Sequence, residues 1–356
     1  MTMHKALQPT FAPDFMEKII YKTAIVSIIL VCFVVVAGSI VRVTGSGMGC
    51  PDWPKCFGYT IPPTSTEQVE WHPNKTFNEG NMIIKDESLL LSLRDFTTGA
   101  EFDAANWEVY DKHDYAIFNP VHTWIEFLNR LSGGLSGMPV TILFVLCTIY
   151  AFRRKKWRLF FLAGFAMVML GFVAWLGKIV VDGNLLPGHI SYHMLGALAI
   201  VLFLLLIMTH LLPKSEKVVS NQLKWVALGC LVLGLAQITF GTQVREDVDT
   251  LIKAGVARDG WMDGMDVIFF VHRSFSLLLV LLNGYLWWKL RGNEIYRKPS
   301  NLLMAFVVGG IILGVLLAYG SMPPWAQPLH LWLAFAMFSA HVWILGRMMK
   351  KPQLSL

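Results

Sequence analysis

Charge is what this sequence has least of. Only 15% of its 356 residues are Asp, Glu, Lys or Arg, against about 25% in a soluble domain. That scarcity excludes a disordered chain, an ordinary water-soluble enzyme and a nucleic-acid-binding tail protein. Cysteine is also scarce. Cys32, Cys147 and Cys230 lie inside apolar runs and read as small core residues. The Gly-rich stretch at 44–50 lacks the Gly-Lys-Ser/Thr of a phosphate loop and follows no βα unit, which argues against nucleotide binding. The chain holds no ferredoxin or flavin motif, so any electron donor or acceptor is a separate molecule.

Apolar residues fill the gap: they make up 55% of the chain, with a mean hydropathy of +0.53. A membrane span takes about 20 apolar residues. Runs of suitable length fall at 19–43, 122–152, 159–180, 189–212, 225–244, 267–288, 302–320 and 328–346. The fold class expected is therefore all-α: a polytopic membrane protein whose eight transmembrane helices form two pseudo-symmetric four-helix bundles. The first run follows 18 residues that include Asp14 and Glu17, which favours a retained helix over a cleaved leader.

Basic residues set the expected orientation. Arg153–Arg158 carries five of them and no acid; the 213–224 linker, the 289–298 loop and the end of the chain are basic as well. All fall on one side of an eight-span drawing, together with both termini, and that side reads as the cytoplasm. The opposite loops are acidic: residues 45–120 hold 12 Asp/Glu against 5 Lys/Arg, and 245–266 hold 6 against 3. The net charge of +6 is thus a sidedness signal. The divisions expected are a cytoplasmic N-terminus at 1–18, a first half at 19–212 with a long outer loop at 45–120, a linker at 213–224, a second half at 225–348 and a tail at 349–356. Within the loop, Ser88–Leu93 reads as a short helix on the membrane surface. Residues 64–115 read either as a small subdomain or as a partly ordered insertion.

The two halves resemble each other. Gly38, Val41 and Arg42 match Gly241, Val244 and Arg245; Asn129–Arg130 matches His272–Arg273; His193 matches His330. The offset falls from 203 to 143 because the first loop is longer. The repeat is parallel, and repeats often put sites in equivalent places. Ionisable groups within spans are costly and mark function. His193, His272 and His330 lie within about two turns of the start of spans 4, 6 and 8, and Glu126 and Asn129 hold that depth on span 2. Histidines from separate helices at one depth of an apolar bundle can hold a haem iron from both sides; interhelix hydrogen bonding is the plainer reading. His4, His72, His113, His210 and His341 have no repeat partner and read as surface or packing residues. Glu126, Asn129 and Arg130 share a helix face, so Glu126 either pairs with Arg130 or moves protons at a reacting group. Arg42, Arg130, Arg245, Arg273 and Lys178 lie near outer span ends, where they could meet carboxylates or simply snorkel. Cys50 and Cys56 lie in the outer loop, as a structural bridge or a redox-active pair.

Together, GSIVRVTGSGMGCPDWPKC, WIEFLNR, LGKIVVDGNLLPG before His193, HRSFS and PLHLWLA resemble the haem A synthase family, across residues 20–348 and least in 64–115. The resemblance implies a bacterial inner-membrane oxidoreductase that converts the C8 methyl group of haem O to a formyl group. It implies a haem b between His272 and His330 and the substrate haem in the first half, where the family pattern of Glu, His and a second His falls on Glu126, Asn129 and His193. It further implies haem O synthase as a supplier; on the residue reading, Glu126 is the catalytic candidate, Arg42, Arg245 and Arg273 are the propionate candidates, and the electron partner is external. Asn129 departs from the pattern. Asn is not a normal iron ligand, so the substrate haem is expected either to keep an open iron position opposite His193 or to take His122 instead. A b-type cytochrome electron carrier and a haem transporter or chaperone are the competing readings.

Overall fold

Polar caps start most of the long helices in this chain. The structure, a computed structural model, describes residues 14–112, 117–182, 189–213 and 219–350. His4, His113, most of the N-terminus, the middle of the 213–224 linker and the end of the tail lie outside the described residues. The helices are α1 (Phe15–Val43), α2 (Pro120–Arg154), α3 (Trp157–Asp182), α4 (His189–Leu211), α5 (Asn221–Lys253), α6 (Val267–Leu290), α7 (Glu294–Tyr319) and α8 (Ala326–Met348). Asp14, Asn119, Ser220, Asp266 and Asn293 each accept a first-turn backbone N–H with the side chain, as N-caps do. All eight helices are long and apolar enough to cross a membrane. The chain is an all-α polytopic membrane protein.

Two helices outrun the apolar runs that predict them. α5 continues to Lys253, nine residues past 244, and α7 begins at Glu294, inside the stretch read as a basic loop. Hydropathy marks what lipid can cover, whereas the helix continues as long as caps and helical partners satisfy its backbone. α1 packs on α2 and α4, and α3 on both; α5, α6, α7 and α8 repeat this ring. The rings meet through α1, α4, α5 and α8. Lipid tails are as apolar as Leu, so close packing rather than apolar burial must join the helices. Small buried residues such as Ala24, Ser27, Ser132, Ser136, Ala163 and Ala166 allow that approach.

The long segment between α1 and α2 is a β-subdomain, not a loop with a surface helix. Ser88–Ser92 is a strand, β3, flanked by β2 (Met82–Lys85) and β5 (Trp107–Val109) in an antiparallel sheet; β1 (Thr76–Phe77) pairs with β4 (Phe96–Thr97). The reason is local. Asp86 and Glu87 both take positive φ, 49° and 58°, the geometry of a two-residue hairpin turn. Alternation then sends Met82 into a core with Phe57, Val69 and Leu89, and Ile83 into another with Phe77 and Trp107.

Candidate functional site

The β-subdomain is strapped to the start of α2 by its disulfide loop. Cys50 and Cys56 are bonded. Glu126, 4% exposed, accepts the Cys50 N–H at Oε2 (2.9 Å) and Arg130 Nη2 at Oε1 (2.6 Å). Arg130 Nη1 donates to the carbonyls of Asp52 (2.6 Å) and Lys55 (3.0 Å), and its Nη2 also reaches that of Cys50 at 3.3 Å. Thr123 Oγ1 donates to Gly49 O at 2.7 Å. Gly49 permits the closeness: a Cβ there would lie 2.5 Å from His122 O. The Glu126–Arg130 ion pair therefore forms and holds the loop, and Arg130 is fully engaged by it. His122 is half-buried, with its backbone against this loop.

Below the strap, four side chains on the even-numbered helices each face a glycine on the preceding helix. A Cβ on Gly38 (α1) would lie 3.7 Å from Asn129 Oδ1 (α2); on Gly177 (α3), 3.7 Å from His193 Cε1 (α4); on Gly241 (α5), 3.1 Å from His272 Cε1 (α6); on Gly314 (α7), 3.4 Å from His330 Cε1 (α8). The glycine partners repeat with the ligand candidates: Gly177 and Gly314 stand 137 residues apart, as do His193 and His330. The His272 and His330 rings meet edge-on, centroids 6.3 Å apart and planes 72° apart. Among the described residues, Nδ1 of each and Asn129 Oδ1 are buried without a hydrogen-bond partner.

The arginines divide. Arg273 is exposed, its guanidinium 5.3 Å from the Phe270 ring centroid and 5.9 Å from that of Phe269. Arg42 and Arg245 instead converge on Asp249. Arg42 Nε and Nη2 donate to Asp249 Oδ2 (2.8 and 2.5 Å), and Arg245 Nη1 lies 3.0 Å from Oδ1. A second clasp joins the halves nearby: Ser191 Oγ donates to Glu246 Oε1 at 2.7 Å and lies 2.9 Å from Thr242 Oγ1. Deep in the second half, His341 Nε2 meets Asn283 Oδ1 at 2.7 Å, both residues 2% exposed or less.

The profile of the cytochrome oxidase assembly proteins (COX15-CtaA) matches residues 21–97 and 96–342, nearly the whole chain. The chain belongs to the haem A synthase family. Curated relatives named haem A synthase include that of Flavobacterium psychrophilum, 23% identical over 90% of this chain and 95% of its own length. That of Shouchella clausii is 24% identical, with 84% and 87% covered. The Shewanella oneidensis protein is 23% identical over 68% of this chain, and the match spans 62% of that relative.

Within this family frame, several residues escape a reading by sequence. Asp249 and Glu246 look like ordinary loop acids, because the apolar run of α5 ends at 244 while the helix continues to Lys253. Gly177 and Gly314 were findable from the 137-residue offset. Asn283 and His341 follow His272 and His330 by 11 residues each, about three helical turns and so the same helix faces. That spacing was the signal.

Proposed function

We propose that this chain is a haem A synthase, oxidising the C8 methyl group of haem O to a formyl group. One observation supports it most. His272 and His330 stand with ring centroids 6.3 Å apart, while the repeat-related place of His272 in the first half holds Asn129. Two imidazoles at this spacing would hold a haem iron between them. The orphaned Nδ1 atoms and the glycine shelves fit the same group, a haem b. Bound there, it supplies one-electron transfer.

The first half then takes the substrate. His193 binds the haem O iron from one side. Asn129 stands where a second ligand would, and its carboxamide leaves the other side of the iron open. With water as oxygen source, R–CH₃ + H₂O gives R–CHO with four protons and four electrons; with dioxygen, R–CH₃ + O₂ gives R–CHO + H₂O. Glu126 is assigned the proton work. Its Oε2 accepts the Cys50 amide, whereas the Arg130 cation is held at Oε1, so Oε2 is the oxygen assigned to take up a proton. Arg130 and Thr123 orient this carboxylate through the loop they hold. Arg42 and Arg245, which converge on Asp249 between the halves, are propionate candidates; Arg273, exposed beside Phe270, does not join that cluster.

On this reading the protein sits in a bacterial inner membrane, termini in the cytoplasm and the β-subdomain outside, as the basic loops indicate. Haem O synthase supplies the substrate, and a separate electron partner completes the cycle. Expressing the chain in cells that make haem O but no haem A tests the proposal. Haem A in the extract supports it. Bound haem B with haem O left unchanged would instead fit an electron carrier or a haem transporter.

A further inference from the structure

Between the two rings, at the end that bears the β-subdomain, lies a cavity of about 270 Å³ lined by Arg42 of α1, Arg245 of α5, Arg258 and Trp261 of the α5–α6 link, and Gln327 of α8. Two of its three guanidiniums, those of Arg42 and Arg245, meet one carboxylate, that of Asp249. Arg42 and Arg245 are each only 16% exposed in the side chain. Among the described residues, Arg245 Nε is buried with no hydrogen-bond partner, and Arg245 Nη1 faces Asp249 off the hydrogen-bonding line. Arg258 is fixed against the cavity by its bond to Met322 O (2.6 Å) and by its stack 4.6 Å from the Trp261 ring centroid. Buried, under-neutralised guanidiniums around an open volume form a site for anions, and planar forks select carboxylates or phosphates.

Its position selects among anions. Arg245 lies one turn beyond Gly241, the shelf of His272, and Gln327 lies one turn before His330. The cavity thus adjoins the paired imidazoles, a helical turn nearer the β-subdomain, at about 5 Å along the helix axes. We propose that it holds the two carboxylates of the haem seated between His272 and His330, and that Arg42, from the first half, is one of its anchors. This rests on the bis-histidine reading and deepens it: the cofactor of one half is gripped by the other, with Asp249 as the built-in anion that moderates the pull. Fixed charge near a haem sets its potential. Arg42 and Asp249 must then act in opposite senses.

The test is a redox titration of the purified, haem-loaded protein, following the α-band, in wild type and in the Arg42→Gln, Arg245→Gln and Asp249→Asn variants. Arg291→Gln, at the opposite end of the second half, controls for loss of any positive charge. Losing Arg42 or Arg245 removes positive charge, so the ferrous form is less favoured and the potential falls. Losing Asp249 raises it, and Arg291→Gln leaves it in place. Opposite shifts are not produced by general loosening, which moves all variants one way. If Arg42→Gln does not fold, Arg245→Gln and Asp249→Asn still give the two signs. Haem retained with potentials unmoved in all variants overturns this assignment alone. Unmoved potentials with loss of co-purified phospholipid phosphorus hand the cavity to a lipid headgroup and overturn it as well. A wild type with no low-spin haem at the histidine pair overturns the bis-histidine reading and this inference together.

Discussion

Asn129 is the residue at which the two halves cease to be equivalent. It shares its glycine shelf with His272 by repeat, and its buried Oδ1 has no partner among the described residues. Asn129→His should close the open iron position. The haem of the first half would then become six-coordinate: carbon monoxide binding to the reduced protein falls at least tenfold, and haem A formation falls with it. Unchanged carbon monoxide binding would show that Asn129 does not face the iron. Asp52 offers a different test, in the strap. Burial pushes its carboxyl above the usual carboxylate range, although Oδ2 accepts the Gly58 N–H at 2.9 Å. A carboxyl whose pKa is raised on folding binds its proton more tightly in the folded chain. Its charge therefore costs stability at neutral pH, and the cost is relieved as pH falls through the folded value. Asp52→Asn keeps an acceptor for Gly58 and removes the charge. The difference in melting temperature between variant and wild type should be largest at pH 7 and should vanish toward about pH 4, the ordinary carboxylate range. A difference independent of pH contradicts it.

At the scale of the helices, the question is what holds α6 and α8 in register when both must present an imidazole. The Asn283–His341 bond joins those helices about three turns below the ring pair. Counting 11 residues on from Asn129 and His193 reaches Val140 and Leu204, both buried and apolar. The half proposed to keep its haem has a polar clasp, and the half proposed to exchange it does not. His341→Leu alone strands a buried amide oxygen and should cost about 1–3 kcal/mol. Combining it with Asn283→Val copies the first half and should restore part of that loss, a coupling of at least about 0.5 kcal/mol. Calorimetry in detergent measures both; strict additivity would deny the clasp. The shelves make a gentler prediction. Gly241→Ala puts a methyl 3.1 Å from His272 Cε1, so the imidazole must shift by a few tenths of an ångström. The low-spin haem signal in electron paramagnetic resonance should move while haem content stays, and an unaltered signal would place the shelf elsewhere.

Over the whole molecule, two kinds of information in the sequence behaved differently. Hydropathy made all eight helices legible, because lipid demands about 20 apolar residues of each. The repeat made Asn129, His193, His272 and His330 legible as one layer, and the geometry brings each against its glycine. Side-chain pairings across the halves were not legible. Arg42 and Asp249 are 207 residues apart, and only packing tells that Asp249 belongs to a helix rather than a loop. A small subdomain was one of two readings of residues 64–115, but its strands were not legible, because the hairpin depends on left-handed residues that are not glycine, Asp86 and Glu87. Glu126 was read two ways, and the structure adds a third element to it, the backbone of Cys50.

The account stands on two haem sites with separate owners. The most direct measurement is to extract and identify by mass the haems from purified wild type and from His193→Ala, His272→Ala and His330→Ala. The account predicts that His272→Ala and His330→Ala lose haem B while still carrying haem O, and that His193→Ala keeps haem B but loses haem O and haem A. Loss of one and the same haem from all three variants would contradict it.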